Sequence, residues 1–403
     1  MNLFLIILFS IPCLAIAWWV WAFITLRALK RARLWRALLT IAWGLMLAGY
    51  IWVVGRRAEL WTSKPPLVWI TSTYVWTLVI FPGSLAASTP LVLADHILRW
   101  RRQRRAALQG EAAAQALASS EPASPARRAF LGALIAAPPT LTILCSGKAL
   151  AEMDSFRVRR IDVPFAALPA DLDGVSIAHI TDMHVGNFTS ERLLRRVSDV
   201  TNSLRPDIVL STGDLIDHAI ADLPAGAAAL NRTDAPYGLF ACEGNHDLFE
   251  SRARFAEGMR QASVPLLQNQ RRLISIRGVP VELMGICWGL GDVPKNGVAL
   301  EANAGYFVGT ERHGAFSILL AHHPHAFDFA APAGVHLTLS GHTHGGQLNP
   351  LPGLCPTRLF FKYLSGLYTQ GTSKLVVSNG VGNGFPMRFN APAEIVLVTL
   401  RRG

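Results

Sequence analysis

The chain has 403 residues, of which 51% are hydrophobic and 16% charged, and its formal net charge is +11. This balance is typical of a protein with a membrane-embedded part. Residues 1–150 hold 16 Lys and Arg against 4 Asp and Glu, whereas residues 151–403 hold 22 against 23. Because the basic excess flanks apolar runs and leaves the rest of the chain nearly neutral, nucleic-acid binding is disfavoured.

The first 150 residues contain four uncharged apolar runs, each a candidate transmembrane helix. A helix needs about 20 apolar residues to cross a bilayer. We place the four helices at residues 3–26, 37–55, 66–94 and 129–147. Proline predicts a kink or tilt in the third, and Pro138 with Pro139 interrupts the fourth, which either crosses or stays buried or interfacial. No run carries a charge in mid-span, so an ion pathway through this module has no support.

The basic residues between the runs predict the orientation of the module. The connections at 27–36 and 99–128 are rich in Arg, whereas the connection at 56–64 carries only three basic residues. By the positive-inside rule the first and third connections are cytoplasmic, and 99–128 is a cytoplasmic linker. If the fourth helix crosses, as we predict, the remaining chain lies outside the cytoplasm; if it does not, that part lies inside.

From about residue 156, short apolar runs typical of buried strands end in polar clusters. The clusters contain Asp182 and His184, then Asp214, then Asn245 and His246, then His322 and His323, then His342 and His344. Open α/β sheets bind ligands at the carboxyl ends of their strands. Helical spacing over 191–204 adds a covering helix. The pattern predicts an α/β domain over 156–403 in which helices cover stacked sheets.

These clusters predict a metal site. Asp, Asn and His together suit divalent cations, and the alternating spacing in D-x-H and H-x-H turns both side chains to one side of an extended segment. There are too many ligands for a single ion. Taken singly, each cluster is more often an ordinary turn or a buried histidine with a satisfied ring than a functional site. Five dispersed cysteines without a CxxC pair give no sign of cysteine-bound zinc or of a disulfide framework.

The order D-x-H, G-D, G-N-H-D, H and G-H-x-H resembles the calcineurin-like metallophosphoesterase superfamily over about residues 172–400. The segments HTHGGQ and PMRFNAPAE resemble its bacterial membrane-associated branch. The resemblance implies a four-layer α/β/β/α sandwich at 156–403, preceded by the transmembrane module at 1–150. It also implies a bacterial inner-membrane protein, and the positive-inside rule makes the catalytic domain extracytoplasmic.

The resemblance further implies two divalent cations, either Mn, Zn or Fe. Asp182, His184 and His344 would bind the first ion, Asn245, His322 and His342 the second, and Asp214 both. His246 matches the catalytic histidine, Asp217 an acid that orients it, and Asp247 is a second candidate for that task. His323 would lie just outside the ligand shell.

The implied reaction is hydrolysis of a phosphodiester or pyrophosphate bond by in-line attack of a metal-bridging hydroxide. His246 would stabilise the phosphoryl oxygen or protonate the leaving oxygen. The alternative is a metal-binding sensor or scaffold without turnover. Phe360, Phe361 and Tyr363 beside Lys362 would suit a lipid-linked substrate if exposed, although ordinary packing is the slightly favoured explanation. The sequence carries no signal of oligomeric state.

Overall fold

The protein is described by a computed structural model that covers residues 3–26, 32–57, 60, 65–108, 125–288, 314–349 and 355–403. The chain divides into two compact units, Met1–Leu150 and Ala151–Gly403. The first unit is helical. Its helices are α1 (Leu3–Thr25), α2 (Ala32–Arg57), α3 (Leu67–Val75), α4 (Phe81–Leu108) and α5 (Pro125–Glu152), which ends just beyond the unit.

Helices α3 and α4 are joined by a π-helical turn at Trp76–Ile80. Pro82 follows that turn, and proline removes a backbone donor from the helical hydrogen-bond ladder. The interruption therefore falls where the prolines of the third apolar run predict a kink. Within the described residues, Ala32–Gly55 and Leu67–Pro90 are long and apolar enough to cross a membrane, and Pro12–Thr25 is a shorter apolar helix. The number of helices that cross stays a prediction.

The second unit contains two sheets. The first has the order β1 (Arg157–Phe165), β11 (Glu394–Arg402), β2 (Ser176–Ile180), β3 (Ile208–Thr212) and β4 (Leu239–Cys242). Its β2, β3 and β4 are parallel neighbours, and β11 pairs antiparallel with β2. Every residue of β3 is buried, as expected for a parallel strand that is covered on both faces.

The second sheet has the order β5 (Gln270–Ile276), β6 (Val279–Gly285), β7 (Phe316–Leu320), β8 (Leu337–Ser340), β10 (Ser373–Val377) and β9 (Gly366–Gln370). Strands β6, β7, β8 and β10 run parallel to one another. The main apolar core lies between the sheets and includes Ile177, Leu210, Leu320 and Leu339. The carboxyl ends of β2, β3, β4, β7 and β8 are therefore the places where polar side chains of both sheets can meet.

Helices cover the outer faces unequally. Helices α6 (Glu191–Ser203), α7 (Leu223–Asn231) and α8 (Arg252–Gln261) bury apolar residues in a cluster with the first sheet. Ser190 caps α6 by accepting a hydrogen bond from the backbone N–H of Leu193 at 3.0 Å. In the described residues, the second sheet is covered by short turns such as Pro324–Ala326 and Phe327–Ala330. The predicted α/β/β/α sandwich is confirmed, with a thin fourth layer.

Candidate metal centre

The polar residues at the strand ends converge on one place. Asp182, His184 and His344 offer ligand atoms that all lie within 4.8 Å of one another, and so do Asp214, His322 and His342. Nε2 of His184 lies 3.0 Å from Nε2 of His344 and 3.6 Å from Oδ2 of Asp214. Asp214 Oδ2 lies 3.1 Å from Nε2 of His322. Asp214 therefore contacts both clusters, where the resemblance places the bridging carboxylate.

Most of the predicted metal ligands have a strained backbone conformation. Five of the seven predicted ligands have a left-handed φ, namely Asp182 at 54°, His184 at 43°, Asp214 at 50°, His342 at 69° and His344 at 49°. Such a conformation is disfavoured for residues other than glycine and persists only where surrounding contacts enforce it. Here the N–H groups of Asp182 and His184 donate to the carbonyls of Gly213 and Asp214, both at 3.0 Å. Hydrogen bonds between the loops after β2 and β3 therefore hold both loops in these conformations.

Gly341 lets the β8 loop reach this site. A Cβ at that position would collide with the carboxylate of Asp182 and the side chain of Thr181. The backbone N–H of the next residue, His342, donates to Asp182 at 3.1 Å. The glycine before the two histidines is therefore required for close approach of two loops.

Two buried ligand atoms have no hydrogen-bond partner among the described residues, Oδ1 of Asn245 and Nε2 of His322. The Nδ1–H of His322 donates to the carbonyl of Thr212 at 2.7 Å, so Nε2 is the ring nitrogen that faces Asp214. A lone pair that faces a carboxylate is stable only if a proton or a cation lies between them. The residues present therefore fit a divalent metal.

The carboxylates and histidine rings of the site stabilise each other's charged forms. Burial opposes ionisation of Asp214, yet the charges of His322 and His246 hold its pKa well below the usual range. Burial likewise opposes charge on His322, but Asp214 raises the pKa of that ring to about 9. For His184, the neighbouring carboxylates of Asp182 and Asp217 outweigh burial and raise the pKa to about 10. Without a metal, protons on these rings balance the carboxylates; divalent cations would replace those protons.

His246 lies at the edge of the cluster. Its Nδ1 lies 2.7 Å from the backbone carbonyl of Asp217 and 3.4 Å from the carboxylate of the same residue. The N–H at Nδ1 therefore donates to the carbonyl, and the ring presents Nε2 elsewhere. Asp217 also lies 3.4 Å from Nδ1 of His184, so one acid contacts both rings. This placement supports an orienting role for Asp217.

Asp247, the second candidate for orienting His246, is used differently. Its carboxylate accepts hydrogen bonds from the N–H groups of Gly244, at 2.8 Å, and Ile216, at 3.1 Å. Burial and then the charge of Asp214 raise the pKa of Asp247 to about 7. These bonds tie the β4 loop to the β3 loop, so Asp247 supports the loop that carries Asn245.

His323 forms part of an aromatic wall beside His342. Its ring centroid lies 5.0 Å from that of His342 and 5.6 Å from that of Phe361. Its Nδ1 accepts the backbone N–H of His325 at 3.2 Å, so the proton of the neutral ring is on Nε2. Trp288, with its ring 4.8 Å from that of His342, belongs to the same wall. Trp288 lies in the segment 285–313, which the sequence suggests as a border of the site, but no motif gave this residue an individual role.

Arg388 lies in the segment PMRFNAPAE, and it is a second residue for which the motifs predicted no role. It is half-buried, and it donates to the carbonyls of Gly382 at 2.7 Å and Asn379 at 2.9 Å. Its Nη2 also lies 3.0 Å from Nδ1 of His344. Because a guanidinium only donates, the neutral ring of His344 carries its proton on Nε2, facing Asp182. Metal binding through Nε2 of His344 requires that proton to leave.

Residues 175–346, which include all seven predicted ligands, match the calcineurin-like phosphoesterase family. An uncharacterized metallophosphoesterase of Aquifex aeolicus is 30% identical over 271 residues, covering 65% of this chain and 98% of the relative. Another from Bacillus subtilis is 31% identical over 245 residues, covering 58% of this chain and 82% of the relative.

The chain belongs to the calcineurin-like phosphoesterase family. The resemblance drawn from its motifs is thereby confirmed at the level of the superfamily, whose members are metal-dependent hydrolases of phosphoric esters.

Other members of the calcineurin-like phosphoesterase family are longer than the matched region. A Danio rerio relative named transmembrane protein with metallophosphoesterase domain is 30% identical over 258 residues, covering 61% of this chain and 57% of the relative. Relatives from Caenorhabditis elegans and Campylobacter jejuni are matched over 52% and 63% of their length. The chain thus spans about half to two thirds of the length of these relatives.

Proposed function

We propose that the protein is a membrane-anchored phosphoesterase that binds two divalent cations and hydrolyses phosphodiester or pyrophosphate bonds. The observation that carries the proposal is the position of Asp214 between two clusters of ligand atoms, with its carboxylate 3.6 Å from His184 and 3.1 Å from His322. The metals, when bound, would neutralise phosphate charge and supply a nucleophile from water at neutral pH.

The chain's own residues divide the remaining work. Asp182, His184 and His344 would bind one ion, and Asn245, His322 and His342 the other, with Asp214 shared. The Nδ1–H of His246 is held by the backbone carbonyl of Asp217, so the ring, as an imidazolium, would donate from Nε2 to a phosphoryl or leaving-group oxygen. A metal-binding sensor without turnover would not need an oriented His246.

The membrane anchor is proposed from the first unit. Leu141, Ile143 and Leu144 of α5 are exposed, with Ile143 at 72%, which suits a lipid-facing helix and not a soluble core. The Danio rerio relative, named a transmembrane protein, supports the same assignment. We infer a bacterial inner-membrane protein whose α5 crosses the bilayer, so that the catalytic domain is extracytoplasmic.

Hydrolysis of bis(p-nitrophenyl) phosphate by the purified full chain tests the proposed reaction. We expect release of p-nitrophenol with Mn²⁺ that stops when a chelator is added. A chain that binds Mn²⁺ but leaves the diester intact would favour the sensor without turnover. The same assay on intact and lysed spheroplasts tests the side of the membrane. Equal rates are expected for an extracytoplasmic domain, whereas activity that needs lysis would place the domain inside.

A further inference from the structure

The segment that follows the loop of the second metal cluster carries apolar residues in opposite environments. Leu359 is 84% exposed and Phe360 is 75% exposed, whereas Tyr363 and Leu364 are buried. The turn Pro356–Leu359 produces this contrast, because the N–H groups of Phe360 and Phe361 both donate to the carbonyl of Thr357 at 3.0 Å. Packing in the core therefore accounts for the apolar ring of Tyr363. It does not account for the apolar side chains of Leu359 and Phe360.

Basic residues flank the exposed pair. Arg358 precedes it and Lys362 follows it, and both side chains are exposed. Lys362 pairs with Asp328 at 2.8 Å, so part of its charge is balanced. We call Arg358, Leu359, Phe360 and Lys362 the apolar tip.

The apolar tip is fixed to the metal centre. Phe361, directly after the exposed pair, has its ring 5.5 Å from that of the predicted ligand His342. The backbone N–H of Lys362 donates to Nε2 of His325 at 3.2 Å, and Thr357 Oγ1 donates to the carbonyl of Gly346 at 3.3 Å. A surface that binds the tip would therefore lie at the edge of the reaction site.

Two exposed side chains are too few for a stable protein partner, since such interfaces bury roughly 1,000 Å² or more. They do suit the boundary of a lipid bilayer, where aromatic and aliphatic side chains enter the headgroup region and basic residues stay at its surface. The helices Ala32–Gly55 and Leu67–Pro90 are long and apolar enough to cross a membrane.

We propose that the apolar tip binds the surface of the phospholipid bilayer that anchors the chain, with Leu359 and Phe360 in the headgroup region. The inference rests on the membrane anchor of the proposed function, and not on its chemistry. It makes the bilayer surface the place from which a phosphoester carried by a lipid reaches the site.

Spin labelling of the full chain tests this proposal. The five cysteines are replaced, and a nitroxide is attached at F360C or, as a matched control, at L273C, because Leu273 is a 62% exposed leucine on β5. In vesicles of phosphatidylcholine and phosphatidylglycerol, the label at 360 should collide with oxygen more often than with a water-soluble nickel chelate. The label at 273 should show the reverse. The proposal would be overturned if the nickel chelate reached the label at 360 as readily as the label at 273. It would also be overturned if neither oxygen nor the nickel chelate reached the label at 360.

A second measurement keeps the native cysteines. The double variant L359S/F360S should hydrolyse a long-chain p-nitrophenyl phosphodiester held in vesicles about tenfold more slowly, because less apolar area anchors the site at the surface. Its rate on soluble bis(p-nitrophenyl) phosphate should match that of L273S and of the native chain. If L359S/F360S and L273S hydrolysed the vesicle substrate at equal rates, the apolar tip would not bind the bilayer. If the native chain did not hydrolyse soluble bis(p-nitrophenyl) phosphate, the proposed reaction would be wrong instead.

Discussion

Asp214→Asn should lower hydrolysis of bis(p-nitrophenyl) phosphate by about 10³-fold or more. The carboxylate lies 3.6 Å from His184 and 3.1 Å from His322, so it is the acid that both clusters share. An amide has one acceptor oxygen and no charge, and it cannot join two cations. Bound cations contribute several kcal/mol of charge stabilisation, and about 4 kcal/mol corresponds to roughly 10³-fold in rate.

The measurement is the rate at saturating Mn²⁺ together with the metal content of the purified variant. Asp199→Asn is a matched control, because Asp199 is an exposed acid on α6. It should leave both quantities unchanged. An Asp214→Asn chain that keeps two ions and most of its rate would show that the bridging role is wrong.

His246→Ala should lower the same rate by about 10²-fold to 10⁴-fold, which is the usual contribution of a positioned acid or base. The ring of His246 lies beside that of His184 with centroids 4.5 Å apart, yet its Nδ1 is occupied by the carbonyl of Asp217. We therefore expect the variant to retain its metals. The effect should appear in kcat, because His246 acts on the reacting phosphate and not on the cations.

His218→Ala is the control for this loop, since His218 is exposed and lies one residue after Asp217. The His218→Ala variant should hydrolyse bis(p-nitrophenyl) phosphate at close to the native rate. If His246→Ala lost metal in parallel with activity, His246 would be a ligand, and a different group would have to donate the proton.

The strand ends were predictable because their signal is local. A buried parallel strand is a short apolar run, and the polar residue after it must lie at the edge of the sheet where its neighbours end. Asp182, Asp214 and His342 each follow such a run. Their convergence follows from the parallel arrangement of β2 with β3 and of β7 with β8.

Other features depend on contacts that no local pattern encodes. Arg388 acts through the carbonyls of its own loop and the ring of His344, which is 44 residues away in sequence. Strand β1 pairs with β11, more than 200 residues later. The environments of Phe360 and Tyr363 differ because a single turn exposes one residue and buries the other. Composition could not separate these two aromatic residues.

The metal content of the native full chain tests the dinuclear site most directly. The chain is stripped with a chelator, titrated with Mn²⁺, and followed by both bound metal and hydrolysis of bis(p-nitrophenyl) phosphate. We expect hydrolysis to rise until two ions are bound per chain and then to stay constant. Full hydrolysis by the stripped chain, or a plateau with one ion bound, would contradict a site in which Asp214 joins two cations.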